Sequence, residues 1–216
     1  MTENTNTAHY DQFYTDGDFD CDPGNAREWL QTRLINWFQL EQGDKVLDLG
    51  CGKGLHAALL ADLGLQVFGV DISPEGIRGA IERGSAATFI RASASELDLH
   101  FDENYFDLIY CRGMSWFHRE LDQVCPQTGV DVREKIPDFF RLIKPGGLFV
   151  LQICTDFTGS RPIDGVHNNR LSDYIDLFAP HGELVHVSNW LGTGLYEDQQ
   201  AVLEGGTGIV IATKVT

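Results

Sequence analysis

The spacing of apolar residues changes at Gly43. Before it, in PGNAREWLQTRLINWF, Leu30, Leu34, Trp37 and Phe38 recur at i, i+4, i+7 and i+8, which predicts one buried helical face. Pro23 suits the first turn of that helix. After Gly43, short apolar runs alternate with helical stretches. KVLDL (45–49), QVFGV (66–70), ATFI (87–90), YFDLIYC (105–111) and LFVLQI (148–153) read as strands, and 55–64, 73–84 and 132–143 as helices. Ser73 is the expected N-cap of the second of these helices, with Pro74 at its first position and Gly84 as its stop. This β-α-β alternation predicts parallel strands with right-handed crossovers, an open α/β sheet covered on both faces.

The last third is less regular: 171–178 reads as a helix, 183–188 and 207–215 as two strands joined by a long loop. Residues 112–130 and 154–170 exceed ordinary connection lengths and are expected to carry function. The first 22 residues read as a polar arm, with Tyr10, Phe13, Tyr14 and Phe19 as candidate anchors. Residues 23–216 read as a single domain, with a ligand-binding half over about 40–153 and substrate-side insertions at about 112–130 and 154–181.

Composition narrows the partners. Sixteen basic against thirty-two acidic residues give a net charge of −16, a field that repels phosphate backbones and anionic membrane surfaces. Neither a nucleic-acid nor a membrane partner is expected. No apolar run reaches the roughly 20 residues of a membrane helix, and the acidic N-terminus resembles neither a secretory nor a transit peptide, so a cytoplasmic location is expected. The five cysteines (Cys21, Cys51, Cys111, Cys125, Cys154) are scattered without a CxxC pair, and no metal site is expected. The sequence fixes no oligomeric state.

VLDLGCGKG (46–54) carries the most chemistry. A buried strand turns abruptly into a helix, and Gly50, Gly52 and Gly54 let the backbone make the turn and approach a ligand. The helix start offers N–H groups and partial positive charge to a carboxylate or phosphate. Asp71, at the end of the second strand, can accept both hydroxyls of a ribose. A dinucleotide fingerprint would need Gly or Ala where Leu55 stands, and no Walker A pattern appears. Asp48 instead puts negative charge near the ligand, repelling a pyrophosphate and attracting an ammonium, unless it only bonds loop amides.

DLGCGKG, then VDIS, ENYFDLIYCRG and FFRLIKPGGLFVL in that order resemble the motifs of the class I S-adenosylmethionine-dependent methyltransferases over about residues 40–153. The resemblance implies a Rossmann-like doubly wound, seven-stranded, mostly parallel sheet with an antiparallel closing strand. It implies S-adenosylmethionine as cofactor, S-adenosylhomocysteine as product and no metal. Asp48, Gly50, Cys51, Gly52 and Gly54 would hold the methionine part, Asp71 the ribose, and Ile72 one face of the adenine. Ser93 stands where the family usually has an acid for the adenine amine, and Ala94 follows it. Cys111 and Arg112 would lie beside the methyl donor.

On the acceptor side, His118 is the leading candidate base because SWFH follows the fourth strand directly; a loop-bonding role is the alternative. His167 is a weaker candidate, and His56 reads as a cofactor neighbour or packed helix residue. Trp116 is a candidate wall of an acceptor pocket, whereas Phe117 reads as core. Tyr10, Phe13 and Tyr14 resemble the aromatic lid of some small-molecule members; the alternative is an arm packed on the following helix. The fourth strand ends in YCRG and lacks the [DN]PP[YFW] motif of many DNA and protein amino-methyltransferases. A small-molecule acceptor is the expectation. A catalytically silent S-adenosylmethionine-binding protein and a nicotinamide-dependent oxidoreductase remain the alternatives.

Overall fold

The computed structural model describes residues 3–16, 22–118, 121, 131–153, 169, 171–189 and 209–216. The described elements run α1 (Glu3–Asp16), α2 (Pro23–Leu30), a π turn (Gln31–Ile35), α3 (Asn36–Phe38), β1 (Lys45–Leu49), α4 (Leu55–Asp62), β2 (Gln66–Asp71), α5 (Pro74–Glu82), β3 (Thr88–Arg91), a 3₁₀ turn (Ala94–Leu99), β4 (Phe106–Arg112), α6 (Ser115–His118), α7 (Val132–Arg141), β5 (Ile143–Ile153), α8 (Leu171–Phe178), a second 3₁₀ turn (Ala179–His181), β6 (Glu183–Asn189) and β7 (Ile209–Lys214). One seven-stranded sheet has the order β3-β2-β1-β4-β5-β7-β6. The pairs among β1 to β5 are parallel, and β7 lies antiparallel between β5 and β6.

Side chains that free the backbone for helix set several boundaries. Asp22 accepts from the Asn25 amide at 2.9 Å ahead of Pro23, and Ser73 from the Gly76 amide at 3.0 Å ahead of Pro74. Asp131 accepts from the Arg133 amide at 2.9 Å and starts α7. The arm is where the sequence reading falls short: most of it is helix α1, packed on α5. Its polar sequence has no apolar stripe to announce a helix: Phe13 is exposed, and Tyr14 meets Gly52 and Gly76 rather than a core.

Strand alternation distributes two cores. Val46, Leu108, Tyr110, Val150 and Ala212 face α2 and α4, whereas Leu47, Leu49, Ile109, Cys111, Phe149, Leu151 and Ile211 belong to the α7 and α8 side. At the carboxyl ends of the strands the α4-side row turns polar, with Asp48, Tyr110 and Gln152 all buried. The Tyr110 hydroxyl donates to Gln152 across β4 and β5. The strand order reverses between β1 and β4, which opens a crevice at that edge.

Gly54 shows why the loop sequence is tight. At φ +74° it sits in the left-handed region at the start of α4, and an added Cβ would lie 2.7 Å from Ala80 Cβ and 2.8 Å from the Phe89 ring. Gly54→Ala therefore combines strained backbone with an overpacked contact between α4, α5 and β3. It is expected to cost roughly 2–4 kcal/mol, read as a lowered urea midpoint with unchanged slope; a cost below 1 kcal/mol would contradict this packing.

Candidate cofactor site

The crevice is a cavity of about 260 Å³ between the carboxyl edge of the sheet and α1. Asp48, Gly50, Cys51, Gly52, Asp71, Ile72, Ser93, Ala94 and Arg112 line it, together with Tyr10, Phe13, Tyr14 and Trp116. Two residues expected there are not in its wall. Cys111 is fully buried in the α7-side core because strand alternation turns it away from its neighbour Arg112. Gly54 serves the packing described above. Lys53, Met114 and Ser115 join the wall without having been singled out by sequence. Met114 lies over the loop, 3.6 Å from where a Gly50 Cβ would be. No periodic pattern or motif announces such a loop contact.

The glycine loop spends its amides internally. Gly50 and Cys51 donate to the Val70 carbonyl at 2.9 and 3.0 Å, Gly54 donates to the Cys51 carbonyl at 2.9 Å, and Gly52 donates to Asp71 Oδ2 at 2.9 Å. The Ala57 amide in the first turn of α4 donates to Asp48. The loop and helix start are thus organised around carboxylates of the chain itself, which disfavours the phosphate-cradling use of this motif.

Asp48 is only half satisfied. It is 3% exposed, and its Oδ2 has no hydrogen-bond partner among the described residues. A buried, unpaired carboxylate oxygen is costly and calls for a cationic or donor partner. Burial pushes the Asp48 carboxyl up to about 7 from an ordinary 3.8, and the charge of Asp71 adds to this; the Ala57 amide and Arg112 oppose it. The ammonium of a methionine moiety fits this oxygen in charge and donor capacity. Asp71, also buried, accepts from the Ser73 amide at 2.9 Å on Oδ1 and from Gly52 on Oδ2, and burial raises its carboxyl too.

The remaining side chains divide by role. Burial, reinforced by Arg112, lowers His56 to about 3, so it lines the cavity as neutral imidazole and is unsuited to take a proton near pH 7. Ser93 caps the 3₁₀ turn, accepting from the Ser95 amide at 3.3 Å and sharing a 2.8 Å bond with the Ser95 hydroxyl. Trp116 stacks on Phe139 with ring centroids 5.9 Å apart, and Phe117 is fully buried core. Burial raises the thiols of Cys51 and Cys111, which are packed rather than nucleophilic. His118 ends α6, but its side chain, like the whole of His167, lies outside the described residues. No described helix is long and apolar enough to cross a membrane.

The Asp48 shift has a measurable consequence in the protein without ligand. A carboxyl held at about 7 when folded and near 3.8 when unfolded binds an extra proton in the native state between those values, so stability falls as pH rises through that window. Asp48→Asn removes this loss. Its thermal midpoint is expected to exceed that of the wild type by more at pH 8 than at pH 5; an equal difference at both, or a deficit at pH 8, would contradict the assigned shift.

Comparison with known proteins bears on what the site serves. Residues 47–151 match the family described as a methyltransferase domain. The chain is 34% identical over 128 residues to an uncharacterized methyltransferase of Synechocystis sp., covering 59% of this chain and 55% of that protein. It is 28% identical over 156 residues to an S-adenosyl-L-methionine-dependent Diels-Alderase of Talaromyces variabilis, covering 67% and 48%. The chain thus spans about half the length of these curated relatives. Among solved structures, magnesium protoporphyrin IX methyltransferase of Synechocystis with bound S-adenosylmethionine superposes with a TM-score of 0.67 at 14% identity, over 99% of this chain and 97% of that one, a likeness of fold. The glycine loop and the two buried carboxylates sit inside the matched segment, residues 47–151, and that segment is similar to the methyltransferase-domain family.

Proposed function

We propose that this chain binds S-adenosylmethionine in the cavity between α1 and the sheet and methylates a small-molecule acceptor there. The observation that carries the reading is the unpartnered Oδ2 of Asp48 beside a second buried carboxylate, Asp71, in one cavity. Asp48 would hold the ammonium of the cofactor's methionine part, with Gly50, Cys51 and Gly52 close to its chain and Arg112 on the β4 side. Asp71 would take the ribose hydroxyls. Ile72, Ser93 and Ala94 would line the adenine, with the Ser93 hydroxyl as acceptor in place of the family's usual acid. When bound, S-adenosylmethionine supplies a methyl group already activated for displacement. What remains for the chain is to exclude water and hold the acceptor in line with that group at roughly 3–3.5 Å.

Residues 1–22 are proposed as a lid that opens to admit the cofactor, beside a single domain of residues 23–216. Tyr10 and Trp116 are proposed walls on the acceptor side, with His118 as base and His167 as a further acceptor contact. The net charge of −16 supports a small-molecule acceptor over a nucleic acid. So does the substrate named for the protoporphyrin enzyme, which shares the fold. A second reading comes from the Diels-Alderase relative, whose name makes S-adenosylmethionine a requirement without naming methyl transfer.

Methyl-labelled S-adenosylmethionine separates the two. Label is expected to move into a low-mass product from a panel of phenols, quinols, amines and thiols, with equal release of S-adenosylhomocysteine. Label retained on a cofactor that the protein demonstrably binds would instead favour the second reading. Within the site, Asp48→Asn is expected to weaken S-adenosylhomocysteine by roughly 10–100-fold, the worth of one or two charge-assisted bonds. Binding of 5′-methylthioadenosine, which lacks the amino-acid part, should stay within about twofold. An equal loss for both ligands would contradict the role given to Asp48.

A further inference from the structure

Helix α1 docks beside the cavity through contacts that reach the Asp71 carboxylate. Its Asp11 accepts from the Ser73 hydroxyl at 2.5 Å and from the Glu75 amide at 3.4 Å, so a side chain more than sixty positions away joins Ser73 in capping α5. Almost one helical turn later, Tyr14 enters a notch formed by two glycines. A Cβ at Gly52 would lie 2.7 Å from the Tyr14 hydroxyl, and one at Gly76 would lie 3.2 Å from its ring. The phenol therefore fills the space directly over the middle of the glycine loop. Its hydroxyl points to Asp71 Oδ2 at 3.5 Å.

Asp71 already faces several donors. The Gly52 and Ser73 amides each donate at 2.9 Å, to Oδ2 and Oδ1, and the Tyr14 hydroxyl approaches Oδ2 at 3.5 Å. A carboxylate oxygen offers about two lone-pair positions. Oδ2 is thus shared by the Gly52 amide and the phenol, and a ribose hydroxyl can engage it fully only if one of them leaves. The amide is a main-chain group fixed by the loop. The phenol belongs to a side chain on a separate helix.

We infer that Tyr14 is an internal stand-in for a nucleoside hydroxyl: with α1 docked, its phenol occupies Asp71, and a ribose gains that carboxylate by expelling it. The inference rests on the assignment of Asp71 to the ribose made above. Burial and the neighbouring Asp71 raise the Tyr14 phenol, so it stays protonated and able to donate at physiological pH. The docked arm is then self-inhibitory towards the cofactor. Apparent affinity is reduced by the fraction of molecules with the phenol in place.

Calorimetry and hydrogen exchange test this with S-adenosylhomocysteine as the probe. Tyr14→Phe keeps the ring and the Asp11 dock but removes the competing hydroxyl, and is expected to bind about 2–10-fold more tightly than wild type, the range of one net hydrogen bond. In wild-type protein, saturating S-adenosylhomocysteine is expected to raise amide exchange in residues 8–16. Equal or weaker binding by Tyr14→Phe, or slower exchange in α1 on binding, would overturn the inference while leaving the ribose assignment standing. Absence of binding to both folded proteins would remove the ribose assignment and the inference together.

Discussion

Two carboxylates are drawn out of water at one edge of the sheet, and the surrounding structure answers each differently. β1 and β2 are paired in parallel, so Asp48 and Asp71 come to neighbouring strand ends, next to the β1–β4 boundary where the strand order reverses. Burial raises both, and the charge of Asp71 raises Asp48 further. Asp71 is stabilised by main-chain donors from the glycine loop and the start of α5. Asp48 receives the Ala57 amide on one side and keeps a bare oxygen on the other. Without a cationic partner at Asp48 the site is thus electrostatically strained, as groups set aside for binding commonly are.

The glycine loop makes this arrangement mechanically feasible. It must reverse direction within a few residues while Gly52 reaches Asp71, and it must admit Ala80 and Phe89 against Gly54. Its main chain is committed to Val70, Cys51 and Asp71, so the loop offers a shaped surface more than a set of free donors. That distinguishes it from a phosphate-binding turn of similar composition. The same commitment gives α1 its place: the surface left over Gly52 and Gly76 accepts an aromatic ring without a Cβ in the way.

Much of the sheet was legible because strands buried on both faces are short, apolar and punctuated by glycine, and the parallel order follows from right-handed crossovers. Asp48, Gly50 and Asp71 were legible for the same reason: each sits at a strand end fixed by that pattern. Cys111 and Arg112 show the limit of motif reading, since adjacent residues on a strand face opposite sides and only Arg112 reaches the cavity. Helix α1 was read only as an arm, because its partner is a surface made by Gly52, Ser73 and Gly76, distant in sequence. Met114 over Gly50 is a contact of the same kind.

The central claim is that Asp71 and the loop beneath it form a nucleoside site for S-adenosylmethionine. Calorimetric titration of the wild type and of Asp71→Ala with S-adenosylhomocysteine tests it most directly. The expected result is saturable one-to-one binding by the wild type and affinity at least tenfold lower in a variant that remains folded by circular dichroism. Undiminished binding by folded Asp71→Ala, or none by the wild type, would contradict it.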